Sequence, residues 1–348
     1  MYHPRLAGDH YDMGFRYGSL LESKGVPLGG VIRLSDQQIE FGEASLGIAE
    51  GIIPDIMREV RGLADGLKIE YARVASWLLS TYCSGDIHGC SCFAVNMGGE
   101  VYFGRNSDMF PELKATSESV LYRPTGRNVF IGHSTSMILL EDGLNEHGLA
   151  AGMTFMMPKS VKPGLNAGFL VRAILEECRT TSEAIDFIRA VPISSCQNIV
   201  LADQNGDLAV VECSANRVEV TRGGSSVIAT NHFTIDAMFG EHANPEENWH
   251  RSEERFATIQ SSLGDIGFDL DSVKDILSGK RGFMCQYGRG ENFDTLWSVA
   301  YRLSDLHNEI AEGNPARTKF KRDGRLAWGI GKERSDSFES DRNVTRTA

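Results

Sequence analysis

The 348-residue sequence has no Cys-x-x-Cys pair, no basic cluster, no internal repeat and no low-complexity linker. It also has no apolar run approaching the roughly 20 residues of a membrane-spanning helix. Each absence removes a class of function. Without clustered Lys and Arg, nothing displaces the counterions of a nucleic acid. The 35 Lys plus Arg stand against 47 Asp plus Glu, a net charge of −12. The most basic stretch, Arg317 to Arg325, is short and reads as a solvated loop or hairpin. The opening Met1 to His10 lacks an apolar signal core, and the closing Arg346-Thr347-Ala348 carries no address signal. A cytoplasmic protein without nucleic-acid or membrane partners is expected. Seven cysteines, at 83, 90, 92, 178, 196, 213 and 285, are odd in number and irregular in spacing. They read as reduced thiols, most of them small buried hydrophobes.

The composition that remains is globular: 41% hydrophobic and 24% charged, enough to bury a core without disulfides. The length allows two domains or one large one. Before residue 90 the pattern is helical. Tyr11, Phe15, Gly18 and Leu21 fall at three-to-four spacing, as do Ile48, Ile52, Ile53, Ile56, Val60 and Leu63; a third helix runs from about Glu70 to Tyr82. After residue 90 short alternating segments take over. Cys92 to Asn96 and Val101 to Phe103 read as a hairpin around Met97-Gly98-Gly99-Glu100. Ser119 to Tyr122, Asn128 to Ile131, Met137 to Leu140 and Leu149 to Phe155 read as strands. Helices follow at Gly168 to Glu177 and Ser182 to Arg189, then strands at Asn198 to Ala202, Leu208 to Cys213, Arg217 to Arg222 and Val227 to Thr230. A second helix pair, Ser252 to Leu263 and Asp271 to Leu277, precedes strands at Thr295 to Leu303 and His307 to Ala311. Strands, a helix pair, strands and a helix pair predict an α+β fold of two antiparallel sheets sandwiched by helices. The first 89 residues form a separate helical module.

The informative stretch is His88-Gly89-Cys90-Ser91-Cys92-Phe93-Ala94-Val95, followed by Gly104-Arg105-Asn106-Ser107-Asp108. In a hairpin of this length the end of the return strand lies beside the start of the first, so Arg105 and Asp108 sit near Cys90. A neighbouring cation favours a thiolate, which Arg105 supplies; Asp108 is placed to hold a protonated amine. His88, Cys90 and Cys92 can also be read as metal ligands. A zinc site needs about four ligands, and no second cluster is evident, so no metal and no cofactor are expected. Asp142 and Glu146 read as turn residues, with Gly143 and Gly148 serving backbone geometry.

Five segments stand in a shared order: Gly8-Asp9-His10-Tyr11-Asp12-Met13-Gly14-Phe15-Arg16-Tyr17-Gly18; Gly89-Cys90-Ser91-x-Phe93-Ala94-Val95; Gly104-Arg105-Asn106-x-Asp108; Asp142-Gly143-Leu144-Asn145-Glu146-x-Gly148-Leu149; and Ala229-Thr230-Asn231-His232-Phe233. Through them the sequence resembles the acyl-coenzyme A:isopenicillin N acyltransferase-like branch of the N-terminal nucleophile (Ntn) hydrolases, and more distantly the choloylglycine (bile salt) hydrolases. The resemblance implies a four-layer αββα sandwich. Residues 1–89 become a helical propeptide or small subunit, and residues 90–348 the catalytic subunit. It implies self-cleavage between Gly89 and Cys90, which frees the Cys90 α-amine as base for its own thiol. Glycine suits the scissile position because the backbone there must bend and be approached closely. Cys90 is preferred over Cys92 because it follows Gly89.

The same resemblance assigns Asp108 to the α-amine, Arg105 to the thiolate and Asn231 to the tetrahedral oxyanion. Arg255 resembles a late supporting arginine of the bile salt hydrolases. Where those relatives carry Asn this chain has Thr154, whose hydroxyl donates one hydrogen bond, so a second oxyanion or substrate contact there is left to Thr154 or to backbone. The implied substrate is a small linear amide or an acyl thioester such as a coenzyme A ester, with water or an amine as acceptor. The cleaved N-terminal fragment is the expected partner, and self-association stays open. Two other readings remain at this level: an unprocessed precursor that acts as a binding protein, and a cysteine hydrolase with a separate base such as His232.

Overall fold

Among the described residues, a short strand and four helices open the chain: β1 (Arg5–Gly8), α1 (His10–Ser23), α2 (Asp36–Ile52), α3 (Pro54–Leu67) and α4 (Tyr71–Ser80). The computed structural model describes residues 1–26, 32–83, 89–244, 247–264, 267–288 and 291–332. Asp9 caps α1 by accepting from the Tyr11 N–H, and Ser35 with Gln38 forms a capping box on α2. The helical period read from Ile48 to Leu63 splits in two. Pro54 lacks the N–H to continue α2 and instead becomes the first residue of α3. α1 and α3 cross with their backbones in contact. A Cβ on Gly14 would stand 2.0 Å from the Glu59 carbonyl oxygen, and one on Gly62 would stand 2.1 Å from that of Tyr11.

The remaining elements are β2 (Gly89–Met97), β3 (Glu100–Met109), β4 (Glu118–Pro124), β5 (Phe130–Ser134), β6 (Asp142–Asn145), β7 (Ala150–Phe155), α5 (Ala167–Glu177), α6 (Thr181–Ala190), β8 (Gln197–Ala202), β9 (Leu208–Cys213), β10 (Val218–Gly223), β11 (Ser226–Ala229), α7 (Ser252–Ser262), α8 (Leu270–Leu277), β12 (Asp294–Arg302), β13 (His307–Ala311) and β14 (Lys321–Arg322). Eight strands form one sheet in the order β1-β4-β5-β6-β7-β8-β9-β10, and six form the other in the order β11-β2-β3-β12-β13-β14. Among the described strands, all pairs are antiparallel except β1 with β4. α5 and α6 pack on the first sheet, α7 and α8 on the second, and β2 lies against β7 and β8 between them. The chain therefore adopts the αββα sandwich.

Side-chain alternation sets the layers. Cys92, Ala94 and Phe103 point between the sheets with Ile131, Leu144 and Val299. Their neighbours Phe93, Val95 and Tyr102 point to the other face, against Ile259, Val273 and Leu277. The segment Met137 to Leu140, expected as a strand, is a turn with Met137 at φ 57°. Its apolar side chains are buried without a ladder because they lie under α5: the Leu140 N–H donates to the Gly168 carbonyl. No helix among the described residues is long and apolar enough to cross a membrane.

Buried charge joins the helical module to the sandwich. Arg172 on α5 donates at 2.7 Å to Glu59 on α3 and at 2.7 Å to Glu176, and His10 at the start of α1 pairs with Glu176 at 2.7 Å. Tyr17 donates to Glu118 at 2.5 Å. The expected division between residues 89 and 90 falls at the start of β2. His88 of the metal reading lies outside the described residues.

The contact between α1 and α3 leaves no volume for a branched side chain. Gly62→Val is expected to destabilise the protein by about 1–3 kcal/mol through overpacking. A urea midpoint equal to that of the unaltered protein would show that the helices have room.

Candidate active site

The site begins with a turn. Gly98 and Gly99 both sit at positive φ, 64° and 94°, which a tight hairpin requires. That turn fixes the β2–β3 register: Gly89 faces Asp108, Cys90 faces Ser107 and Cys92 faces Arg105. Cross-strand partners share a face. Cys90, Cys92, Arg105 and Ser107 therefore point toward the eight-stranded sheet, and Gly89 and Asp108 point the other way.

On the inner face the fully buried Arg105 guanidinium meets four groups. Its Nη2 donates to the Cys90 sulfur at 3.0 Å and to Glu141 at 3.1 Å, its Nη1 to Asp142 at 2.6 Å, and its Nε to the Met153 carbonyl at 2.9 Å. Ser107 donates to the same Glu141 oxygen at 2.7 Å. Asp142 also receives His133 at 2.6 Å and the Trp297 indole N–H at 3.0 Å. Asp142 is thus a buried strand residue rather than a turn residue; the ion pair with Arg105 holds it inside. Glu146 does lie in the turn, where it accepts from the Val129 N–H at 2.7 Å.

On the outer face Asp108 is held by Tyr287 at 2.8 Å and Thr295 at 2.6 Å, with Arg255 3.9 Å away. A bulge in β12 arranges this. Thr295 pairs with Asp108 and Trp297 with Ser107, so the residue between them is extra. Thr295 and Trp297 thereby serve opposite faces, although two residues apart in a regular strand they would share one.

Asn231 follows β11 and reaches the Cys90 backbone. Its Oδ1 accepts from the Cys90 N–H at 2.8 Å and from Arg255 Nη2 at 2.8 Å, while its Nδ2 donates to the Phe155 carbonyl at 2.7 Å. Arg255 on α7 also donates to the Cys90 carbonyl at 2.6 Å and to Ser91 Oγ at 3.0 Å. Thr154 lies on β7, where its hydroxyl donates to the Thr230 carbonyl at 2.5 Å and accepts from Asn198 Nδ2 at 3.0 Å. His232 faces Ser252 Oγ at 2.7 Å. A narrow cleft with room for about one water molecule opens beside Asn231, lined by Phe155, Met156, Met157 and His242.

The structure therefore gathers Gly89, Cys90, Arg105, Asp108, Asn231 and Arg255 around one peptide bond, and sets Thr154 one contact away behind Thr230. Sequence reasoning missed Ser107, Glu141, Tyr287, Thr295, Asn198 and Ser252. Ser107 is the variable position of Gly-Arg-Asn-x-Asp, and Tyr287 and Thr295 come from segments without a local signal. Burial pushes the Cys90 thiol up to about 12; Arg105 draws it down, and Glu141 and Asp108 push it further up. Burial also raises Glu141 and Asp108.

A model of the family described as acyl-coenzyme A:6-aminopenicillanic acid acyl-transferase matches residues 95–317, well over half of the chain. The match includes Arg105, Asp108, Thr154, Asn231 and Arg255 and begins beyond Cys90. Among solved structures, the chain is similar to penicillin V acylase from Agrobacterium tumefaciens, at 16% identity over 64% of this chain and 82% of that one, with a TM-score of 0.47. It is similar to an N-acylethanolamine-hydrolyzing acid amidase ortholog of Caenorhabditis elegans, at 17% identity over 62% and 93%, TM-score 0.47. It is also similar to a variant of the conjugated bile acid hydrolase of Clostridium perfringens, at 12% identity over 67% and 96%, TM-score 0.48. No curated protein matches the chain in sequence.

The Arg105 network carries a pH signature. Burial alone would raise Asp142, but His133 and Arg105 outweigh it and hold its carboxyl at about 2. A depressed carboxyl contributes stability above its unfolded value, and that contribution is lost as pH falls through the folded one. Unfolding free energy is expected to fall between about pH 4 and pH 2 by roughly 2 kcal/mol from this group. Asp142→Asn should lose that slope, measured by urea titration at several pH values; an unchanged slope would remove Asp142 as its source.

Proposed function

The chain belongs to the acyl-coenzyme A:6-aminopenicillanic acid acyl-transferase family, and from that premise we propose that it is a self-processing enzyme whose nucleophile is the Cys90 sulfur and whose mature catalytic piece starts at Cys90. The observation that carries this reading is the double hold on one residue: Arg105 on the Cys90 sulfur at 3.0 Å and Asn231 Oδ1 on its nitrogen at 2.8 Å. A cysteine that only fills the core needs neither.

In processing, Sγ adds to the Gly89 carbonyl carbon, the C–N bond breaks, and the thiol proton ends on the Cys90 nitrogen. Water then cleaves the thioester, which restores the thiol and leaves a carboxylate on Gly89. With its thiol at about 12, the intact chain keeps the sulfur protonated. An ordinary α-amine titrates at about 7.7–8.0, so the freed amine accepts the thiol proton near neutral pH. Arg105 balances the charge that develops on sulfur. Asp108, across from Gly89, receives the ammonium, with Tyr287 and Thr295 holding it in place. Asn231 donates Nδ2 to the oxyanion, its plane fixed by Arg255 and Phe155. Thr154 acts behind this group: its one hydroxyl hydrogen goes to Thr230, so it steadies the segment that carries Asn231.

In turnover the sulfur takes the acyl part of a linear amide, or of an acyl thioester, and passes it to water or to an amine. His232 is not the base in this reading, because its Nδ1 is turned to Ser252. Residues 1–89 remain as a small subunit, since Glu59 and His10 bond the buried Arg172 and Glu176.

Purified protein is expected as two fragments meeting at Gly89 and Cys90, with end-group degradation of the larger one starting at Cys90. Cys90→Ala should remain a single chain and turn over neither N-acyl amino acids nor acyl thioesters. A wild-type chain that stays full length and inactive on both would refute the reading. The two fragments should also elute together on a sizing column without denaturant. Separation there would deny the N-terminal helices a lasting structural role.

A further inference from the structure

The Gly89 carbonyl is the first acyl group that the Cys90 sulfur carries under the proposed function, and the present inference rests on that reading. The processing thioester and every later acyl-enzyme share one arrangement: a carbonyl on Sγ, and behind it an α-carbon. The surroundings of the Gly89 α-carbon are therefore those that a substrate's α-carbon meets.

Those surroundings are tight on one side. A Cβ in the L position of Gly89 would lie 2.7 Å from Cζ and 2.9 Å from Cε1 of Phe293, with Asp108 Cβ at 3.4 Å. Carbon atoms rest about 3.5–4.0 Å apart, so the ring is roughly 1 Å too close for any added carbon. The ring has little freedom to swing away. The His250 imidazole stacks on it with centroids 3.6 Å apart and planes 7° apart, and Tyr287 meets it edge-on at 4.9 Å. Phe110 closes a third side at 6.5 Å. Each support is itself anchored. Tyr287 donates its hydroxyl to Asp108 at 2.8 Å. The His250 carbonyl accepts from Arg255 at 3.0 Å, and both His250 and Arg251 are held in the left-handed region at φ 46° and 56°, a strain that the surrounding contacts must sustain. Burial, and after it Arg255, lowers His250 to about 4, so its ring stacks uncharged at neutral pH.

We propose that Phe293 is a specificity-determining residue that excludes an L-configured substituent on the carbon next to the reacting carbonyl. Acyl groups with a plain CH2 at that position are accepted, and α-branched groups such as L-aminoacyl residues bearing a Cβ are rejected. The same contact makes glycine obligatory before the scissile bond, for a steric reason separate from backbone bending.

The test uses the matured wild-type enzyme and two substrates, the acetylglycyl and acetyl-L-alanyl amides of a fluorogenic arylamine. The glycyl amide is expected to have the higher kcat/KM by at least about tenfold, the range one extra carbon commands in a filled pocket. Phe293→Leu and Phe293→Ala, which remove the distal ring atoms, should narrow that ratio. In the precursor, Gly89→Ala should stall cutting at 89/90 as followed by mass spectrometry, and adding Phe293→Leu should restore it. Equal turnover of both amides by wild type, or Gly89→Ala precursor cut at the wild-type rate, overturns the inference while leaving the cysteine reading intact. A wild type that neither cuts nor turns over either amide overturns both. The wild-type comparison needs no variant to fold, and restoration of cutting by a second substitution is an effect that misfolding cannot produce.

Discussion

One guanidinium without access to water organises the site. Arg105 rises from β3 in the six-stranded sheet and bonds Asp142 and the Met153 carbonyl in the eight-stranded one, so the same cation ties the two sheets together and touches the sulfur. A buried ion pair is a poor source of net stability, because desolvation offsets most of the attraction, but it tolerates few alternative geometries. Here the geometry is what matters. Room for the arginine comes from an absence on the opposing strand: a Cβ on Gly152 would come within 2.9 Å of the Cys92 sulfur and 3.0 Å of Arg105 Cδ. The glycine of β7 and the arginine of β3 are therefore one device.

Sheet parity divides the labour around Cys90. The inner face holds the sulfur and its cation; the outer face holds Asp108, across from Gly89. A regular β12 could supply only one of those faces at this level. The extra residue between Thr295 and Trp297 lets neighbouring positions serve both, one bonding Asp108 and the other Asp142. Bulges beside functional sites commonly re-aim side chains in this way.

Much of this was legible in sequence because it rests on local rules. The Gly98-Gly99 turn fixes a register, and the register alone brings Arg105 and Asp108 alongside Cys90. Alternation in β2 and β3 separates core from site. What was not legible depends on partners remote in the chain. Glu141 and Tyr287 reach the site from 51 and 197 positions downstream of Cys90, and nothing in their own neighbourhoods marks them. Asp142 sits in a motif that also looks like a turn, and only the presence of a buried arginine decides between the two. Only the end of α2, at Ile48 and Ile52, was read by apolar period, because the helix buries only Gly42, Ser45 and Ala49, small residues that leave no stripe. Met137 to Leu140 erred the other way: four apolar residues in a row are equally at home in a turn covered by a helix.

The cluster of Arg172, Glu59, Glu176 and His10 bears on how such a protein can be made at all. Two of its four members belong to the first 89 residues and two to the rest, and all four lose water together. A gene trimmed so that translation began at Cys90 would deliver the amino terminus proposed above, yet it would leave Arg172 and Glu176 without Glu59 and His10. Under the proposed processing, synthesis as one long polypeptide, trimmed only after folding, lets that socket close before the reactive end is exposed.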